Sequence, residues 1–187
     1  MANARNFETL MLPHLHAAIN LARWLVRDAH VAEDLVQDAY LRALRHFDSL
    51  RGDEAKPWLL GIVRNQCFGW LEQQRLHPQV AWADGDGAQE DSAAAGMAEG
   101  ELQAGAHAGP DAMLEQARRT QLVDQAILAL APNFREVIVL RELEELSYSE
   151  IAQIVAIPIG TVMSRLARGR AELKIKLAVL YRNNGHE

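Results

Sequence analysis

The chain has 187 residues, of which 49% are hydrophobic and 24% charged, with a formal net charge of −6 and a single cysteine. That length and apolar share suit one medium or two small packed domains and exclude a wholly disordered chain. A lone thiol excludes an intrachain disulfide framework or a cysteine zinc cluster, no run reaches the roughly eighteen apolar residues of a bilayer span, and residues 1–12 lack a basic flank leading into an apolar run. The expected location is therefore the cytoplasm, without membrane insertion.

The charge is unevenly spread. Between Ala81 and Ala117 lie eight acids (Asp84, Asp86, Glu90, Asp91, Glu99, Glu101, Asp111 and Glu115) and no Lys or Arg; setting them aside leaves +2 on the rest. Between Gly160 and Arg182, six basic residues (Arg165, Arg168, Arg170, Lys174, Lys176 and Arg182) face one acid, Glu172. A basic cluster of this kind supplies the footprint that a phosphate backbone requires, in spite of the negative total.

In chain order, apolar residues recur at spacings of three and four, so the reading is all-α. Leu15, Ile19, Ala22 and Val26 define a first helix, with Pro13 tolerable in an opening turn. Asp28 is placed to cap a second helix with an inner stripe of Val31 or Ala32, then Leu35, Val36, Ala39, Ala43 and Phe47, ending near Asp48. On its opposite side Asp34, Gln37, Asp38 and Leu41 stand at i, i+3, i+4 and i+7, one outward face of acid, amide, acid and leucine. A third helix runs from about Pro57 to Arg75. Trp58, Leu59, Ile62, Val63, Gln66 and Trp70 point inward or half inward, while Arg64, Asn65, Phe68 and Arg75 point outward. The two tryptophans read as core residues, because aromatics at helical spacing are mostly buried.

Residues 77–112, rich in Gly, Ala and acids and poor in large apolar side chains, cannot offset the ordering entropy of about 1–2 kcal/mol per residue and read as a flexible acidic linker. The second lobe, 113–187, opens with two short helices broken at Pro132, carrying Leu122, Ala126, Leu128 and Leu130, then Val137, Ile138, Leu140 and Leu143. Ser147 and Glu150 have capping-box spacing ahead of Ile151, Ile154 and Val155. A break at Ala156, Ile157 and Pro158 precedes a long helix with Val162, Leu166, Gly169, Leu173, Leu177 and Leu180 inward. Short capped helix, tight turn and longer basic helix make a helix-turn-helix, whose second helix can enter the DNA major groove. Thr161, Ser164, Arg165 and Arg168 are its outward DNA candidates, the hydroxyls suited to phosphate and the arginines to phosphate or guanine.

At these residues the chain resembles a known family. The runs Leu130-Ala131-Pro132-Asn133-Phe134-Arg135-Glu136-Val137, Leu146-Ser147-Tyr148-Ser149-Glu150-Ile151-Ala152 and Ile159-Gly160-Thr161-Val162-Met163-Ser164-Arg165-Leu166-Ala167-Arg168 are similar to region 4 of extracytoplasmic-function (ECF) sigma factors of the sigma-70 family. The run Ala32-Glu33-Asp34-Leu35-Val36-Gln37-Asp38-Ala39-Tyr40-Leu41 resembles region 2.2, and Lys56-Pro57-Trp58-Leu59-Leu60-Gly61-Ile62-Val63-Arg64-Asn65 resembles regions 2.3 and 2.4. The resemblance spans both lobes, about four fifths of the chain. Met163 stands where many members carry a basic residue, and the stretch after Asn65 is less basic than in kin.

The resemblance implies a sigma region 2 over residues 1–76, with Asp34, Gln37, Asp38 and Leu41 on the beta-prime clamp helices of core RNA polymerase and Arg64, Asn65, Phe68 and Arg75 on the minus-10 element. It also implies a region 4 over 113–187 that touches the beta flap and reads the minus-35 element through Thr161, Met163, Ser164, Arg165 and Arg168, with an anti-sigma factor as a further partner. The linker is a tether or, by analogy with related factors, threads toward the RNA-exit channel. No catalytic residue, metal, cofactor or small-molecule substrate is implied. The alternative is a stand-alone helix-turn-helix regulator on duplex operators, which leaves the Asp34 face unexplained. A metal or catalytic site on His14, His16, His30 and His46 finds no support in their spacing.

Overall fold

The computed structural model describes residues 2–50, 54–76 and 110–183. The linker over 77–109, and both routes expected for it, lie outside the described residues. Every regular element described is helical: α1 (Ala2–Met11), a 3-10 turn (Leu12–His14), α2 (Leu15–Val26), α3 (Ala29–Arg45), a 3-10 turn (Phe47–Ser49), α4 (Ala55–Leu76), α5 (Pro110–Leu128), α6 (Pro132–Ile138), a π turn (Val139–Leu143), α7 (Tyr148–Val155) and α8 (Ile159–Asn183). No single described helix is long and apolar enough to cross a membrane.

Helix α1 was not legible in the sequence, because only Phe7, Leu10 and Met11 mark its apolar side. Phe7 and Met11, one turn apart, are buried in a satellite cluster with Ala43, Phe47, Ala55 and Leu59. Phe7 meets Phe47 edge to face with ring centroids 5.3 Å apart. The Tyr40 hydroxyl donates to the Met11 carbonyl at 2.9 Å, and burial pushes its pKa up to about 12.

In α2 the buried positions are Ala17, Ala18, Leu21, Ala22, Trp24, Leu25 and Val26. The inner face is thus rotated from the expected stripe: Leu15 is exposed and Ile19 only half buried. The displaced stripe follows the small residues Ala18 and Ala22, which let neighbouring helices approach closely. Helix α3 starts where Asp28 accepts from the Val31 amide at 3.0 Å, and it buries Ala32, Val36, Ala39 and Ala43. Helix α4 buries Leu59, Leu60, Val63 and Cys67; Trp58 and Trp70 are half buried. Burial pushes the Cys67 thiol up to about 12.

Helix α5 corrects two expectations. It begins at Pro110, so the last residues assigned to the linker are helical, and its 19 residues make it long rather than short. Its early turns contribute little to any core, with Met113 and Leu114 exposed, but they consist of good helix formers and carry an i,i+4 pair, Glu115 with Arg119 at 3.0 Å. Leu122 and Ala126 then dock the helix. Leu143, expected inward, is exposed because the π turn after α6 shifts the register.

The two lobes pack against each other. One continuous core joins Leu21, Leu25, Val36, Leu60, Val63 and Cys67 to Ile127, Leu130, Val137, Ile138, Leu140, Ile151, Ile154 and Leu166. Each such Leu or Ile contributes roughly 1.5–3 kcal/mol through burial. Helix α7 is the wedge: Ile154 lies over Gly61 of α4, where an added Cβ would stand 3.9 Å from the Ile154 backbone. Arg135 of α6, 1% exposed, crosses the seam. Its guanidinium donates to the carbonyls of Trp24 (3.0 Å) and Leu25 (3.4 Å) at the end of α2, to Ile127 (3.3 Å) and Leu128 (2.7 Å) at the end of α5, and to Leu130 (2.7 Å) just beyond it. Helix ends leave such carbonyls without intrahelical donors, and a cation there also meets the negative end of the helix dipole. Burial, with Arg27 nearby, brings the Arg135 pKa down to about 10, so the group remains charged at neutral pH.

Candidate nucleic-acid interface

The capping box forms as expected. The Glu150 amide donates to Ser147 Oγ at 3.3 Å, and the Ser147 amide donates to Glu150 Oε2 at 2.7 Å. Those bonds from Ser147 hold the Glu150 carboxyl below its usual value. Helix α7 ends at Ala156, which takes the left-handed conformation (φ 56°), and the Thr161 amide donates to the Pro158 carbonyl at 2.8 Å to start α8. The chain turns by 99° between the two helices, within the range of a helix-turn-helix.

Helix α8 is seated by Val162, Leu166 and Gly169, all buried. Gly169 is required by close approach: a Cβ there would lie 3.2 Å from Ile138 Cγ1 and 3.5 Å from Phe134 Cβ. With that face inward, Met163, Ser164 and Arg168 are exposed and Thr161 is half buried at the helix start. Ser164 Oγ donates to the Thr161 carbonyl at 3.0 Å. Arg165 differs from the expected outward arginine. Its Nη1 donates to Glu136 Oε1 at 3.2 Å, and its side chain is only 27% exposed.

The α4 candidates divide the same way. Asn65 and Arg75 are exposed, Arg75 lying 3.6 Å from Glu72. Arg64 and Phe68 are not free outward groups: Arg64 Nε donates to Glu136 Oε2 at 2.9 Å, and its guanidinium carbon sits 4.2 Å from the Phe68 ring centroid. Phe68 itself packs half buried against the core. The physical reason is shared. Glu136 is fully buried on α6, and a buried carboxylate needs cationic or hydrogen-bonding partners, which α4 and α8 each supply. Burial pushes the Glu136 carboxyl above its usual value, and Arg64 and Arg165 pull it part of the way back.

On α3 the geometry is simpler. Asp34, Gln37, Asp38 and Leu41 are all exposed along one face, continued by the exposed Leu44. Asp38 and Leu41 border a shallow groove with Arg42, Arg45, His46 and Gln66. The buried acid that sequence reasoning missed is Glu136. Its one signal is position: Arg135 and Glu136 are the only charges before Arg141 in the run Phe134–Leu140, whose apolar members Val137, Ile138, Val139 and Leu140 are all buried. Charged residues inside such a run are usually paired.

Comparisons with known proteins agree with this geometry. Residues 10–76 match the model for sigma-70 region 2, and residues 120–173 match that for sigma-70, region 4. The chain is 33% identical over 177 residues to the ECF RNA polymerase sigma-E factor of Escherichia coli, covering 94% of this chain and 88% of that one. It is also 33% identical over 186 residues to the RNA polymerase sigma-H factor of Pseudomonas aeruginosa, covering 95% and 89%. Among solved structures, the sigma factor RpoE in complex with the anti-sigma factor NepR from Bartonella quintana aligns with a TM-score of 0.67 at 26% identity, over 94% of this chain and 98% of that one. CnrH in complex with the cytosolic domain of CnrY shares the fold, with a TM-score of 0.60 at 23% identity over 94% and 90%. With a region 2 and a region 4 in order and relatives aligned along nearly its whole length, this chain belongs to the ECF sigma factors of the sigma-70 family.

Proposed function

We propose that this chain is a transcription initiation factor that binds core RNA polymerase and directs it to specific promoters, without catalytic activity of its own and within the cytoplasm. The observation that carries this reading is the pairing, in one chain, of an exposed acid-amide-acid-leucine face on α3 with a capped helix-turn-helix. Residues 1–76 form the module for core binding and the minus-10 element, and residues 113–187 the module for the minus-35 element. Asp34, Gln37, Asp38 and Leu41 contact the polymerase clamp helices. Arg64, Asn65, Phe68 and Arg75 serve the minus-10 strand, where aromatic stacking and cationic contacts hold single-stranded DNA. Thr161, Met163, Ser164, Arg165 and Arg168 face the minus-35 duplex, the exposed side chains reading or gripping directly and Arg165 doing so once it leaves Glu136. An anti-sigma factor is a further partner, a reading supported by the NepR complex of the RpoE relative. A stand-alone operator-binding regulator does not account for the region 2 match over residues 10–76.

The test is run-off transcription from a promoter library with purified core polymerase. The expected result is initiation at a defined set of promoters only when this protein is added. Failure to co-elute with core polymerase overturns the reading.

A further inference from the structure

The outward face of α8 is built around small side chains. Gly160, Ser164, Ala167 and Ala171 are all exposed and, at roughly 100° of turn per residue, fall in one lane along the helix. Met163 borders that lane on one side and Arg168 on the other, roughly 140° apart around the axis. The fold gives Met163 no packing role. It is 53% exposed and belongs to neither apolar cluster, and Ile159, one turn earlier and also exposed, extends the same apolar edge. A thioether offers a phosphate no donor, so contact there gains only from apolar surface. Ser164 completes the face: its Oγ donates to the Thr161 carbonyl at 3.0 Å, which leaves the hydroxyl oxygen to serve as an acceptor.

We infer that Met163 is a thymine reader, packing on the C5 methyl of one T·A pair in the promoter duplex while Arg168, across the lane, takes a guanine. The inference rests on the sigma-factor reading and specifies part of the sequence that its helix-turn-helix selects. Residues near the start of a recognition helix meet base edges, and Met163 stands in the second turn of α8. In the major groove the thymine methyl is the apolar feature that base edges present, whereas guanine shows two acceptors that match a guanidinium fork. The small lane lets the α8 backbone come close to the groove floor, and an unbranched, adaptable side chain at its border then covers the methyl. The acceptor left on Ser164, between the two, suits the exocyclic amino group of adenine or cytosine. A guanidinium at position 163 would favour guanine instead, so this one side chain sets which pair is preferred.

The experiment uses holoenzyme assembled from the full chain and core polymerase. The minus-35 element is taken from the promoters that initiate, and each of its thymines, on either strand, is replaced in turn by deoxyuridine, which removes the methyl and keeps the pairing. At one thymine this is expected to weaken holoenzyme binding about three- to fivefold, the size of one lost apolar contact. Met163→Ala is expected to weaken binding to the thymine duplex by a similar factor and to abolish the difference between thymine and deoxyuridine there, whereas Met163→Leu retains it. Met163→Arg is expected to turn the preference at that pair from T·A toward G·C. Because Met163 is exposed, these variants test contact rather than folding. Full methyl sensitivity in Met163→Ala overturns the inference, as does an element in which no deoxyuridine weakens binding, or an unchanged base preference in Met163→Arg. The two failures are distinguishable. A chain that initiates from no promoter sinks the sigma-factor reading and the thymine contact with it, whereas one that initiates without methyl sensitivity sinks only the thymine contact.

Discussion

The exposed face of α3 and the arginines of α4 and α8 look alike in the sequence, each a set of charged residues opposite an apolar stripe. In the structure they are opposites. Asp34, Gln37 and Asp38 meet solvent along the helix, whereas Arg64 and Arg165 are turned onto a fully buried acid. The difference teaches that periodicity identifies which side of a helix is polar but not what that side meets. A solvated carboxylate costs little to leave alone; a buried one such as Glu136 draws cations to itself from any helix within reach.

The comparison is broken most directly at α3. Reversing charge at Asp34→Arg with Asp38→Arg is expected to abolish co-elution with core polymerase while moving folding stability by no more than about 0.5 kcal/mol, since both positions are exposed. A large loss of stability in urea unfolding would show that this face is structural after all. At the seam the expectation is inverted. Arg135→Ala removes the donor of the Trp24, Leu25 and Leu130 carbonyls and is expected to cost about 3–5 kcal/mol in the same unfolding measurement. A cost under 1 kcal/mol would mean that the seam does not hold in solution.

The smallest effect sharpens the contrast between two glutamates. Ser147→Ala removes the cap of α7 and is expected to cost about 1 kcal/mol at neutral pH. Because folding lowers the Glu150 pKa, its contribution is present above the unfolded carboxylate value and is lost as pH falls through the folded one. Glu136 has the opposite sign. Its raised pKa means that the folded chain takes up that proton more readily than the unfolded chain, so its ionisation weakens folding as pH rises. A stability titration of the chain and of Ser147→Ala is expected to converge at acid pH. Parallel curves would remove Glu150 from the cap.

Much of this was legible in advance where a local rule decides the outcome. The Asp28 cap, the Ser147 and Glu150 box, the break before α8 and the Val162, Leu166 and Gly169 face depend on neighbours within a turn or two, and each formed where its residues predicted. Helix α1 was missed because its apolar marks are sparse, and α5 was shortened because good helix formers without an apolar face resemble a linker. The outward placement of Arg64, Phe68 and Arg165 failed for another reason. Their surroundings are set by Glu136, 72 residues from Arg64 and 29 from Arg165 in the chain, and no local pattern encodes that meeting.

Cys67 carries a consequence for chemistry at the surface. With its pKa near 12, only about one sulfur in 10⁵ is ionised at neutral pH, and the side chain has no exposed area in the core. As the sole thiol in the chain, it leaves the folded protein without a thiolate for a partner's disulfide to find. Thiol–disulfide control at neutral pH therefore falls to another molecule while the fold is intact.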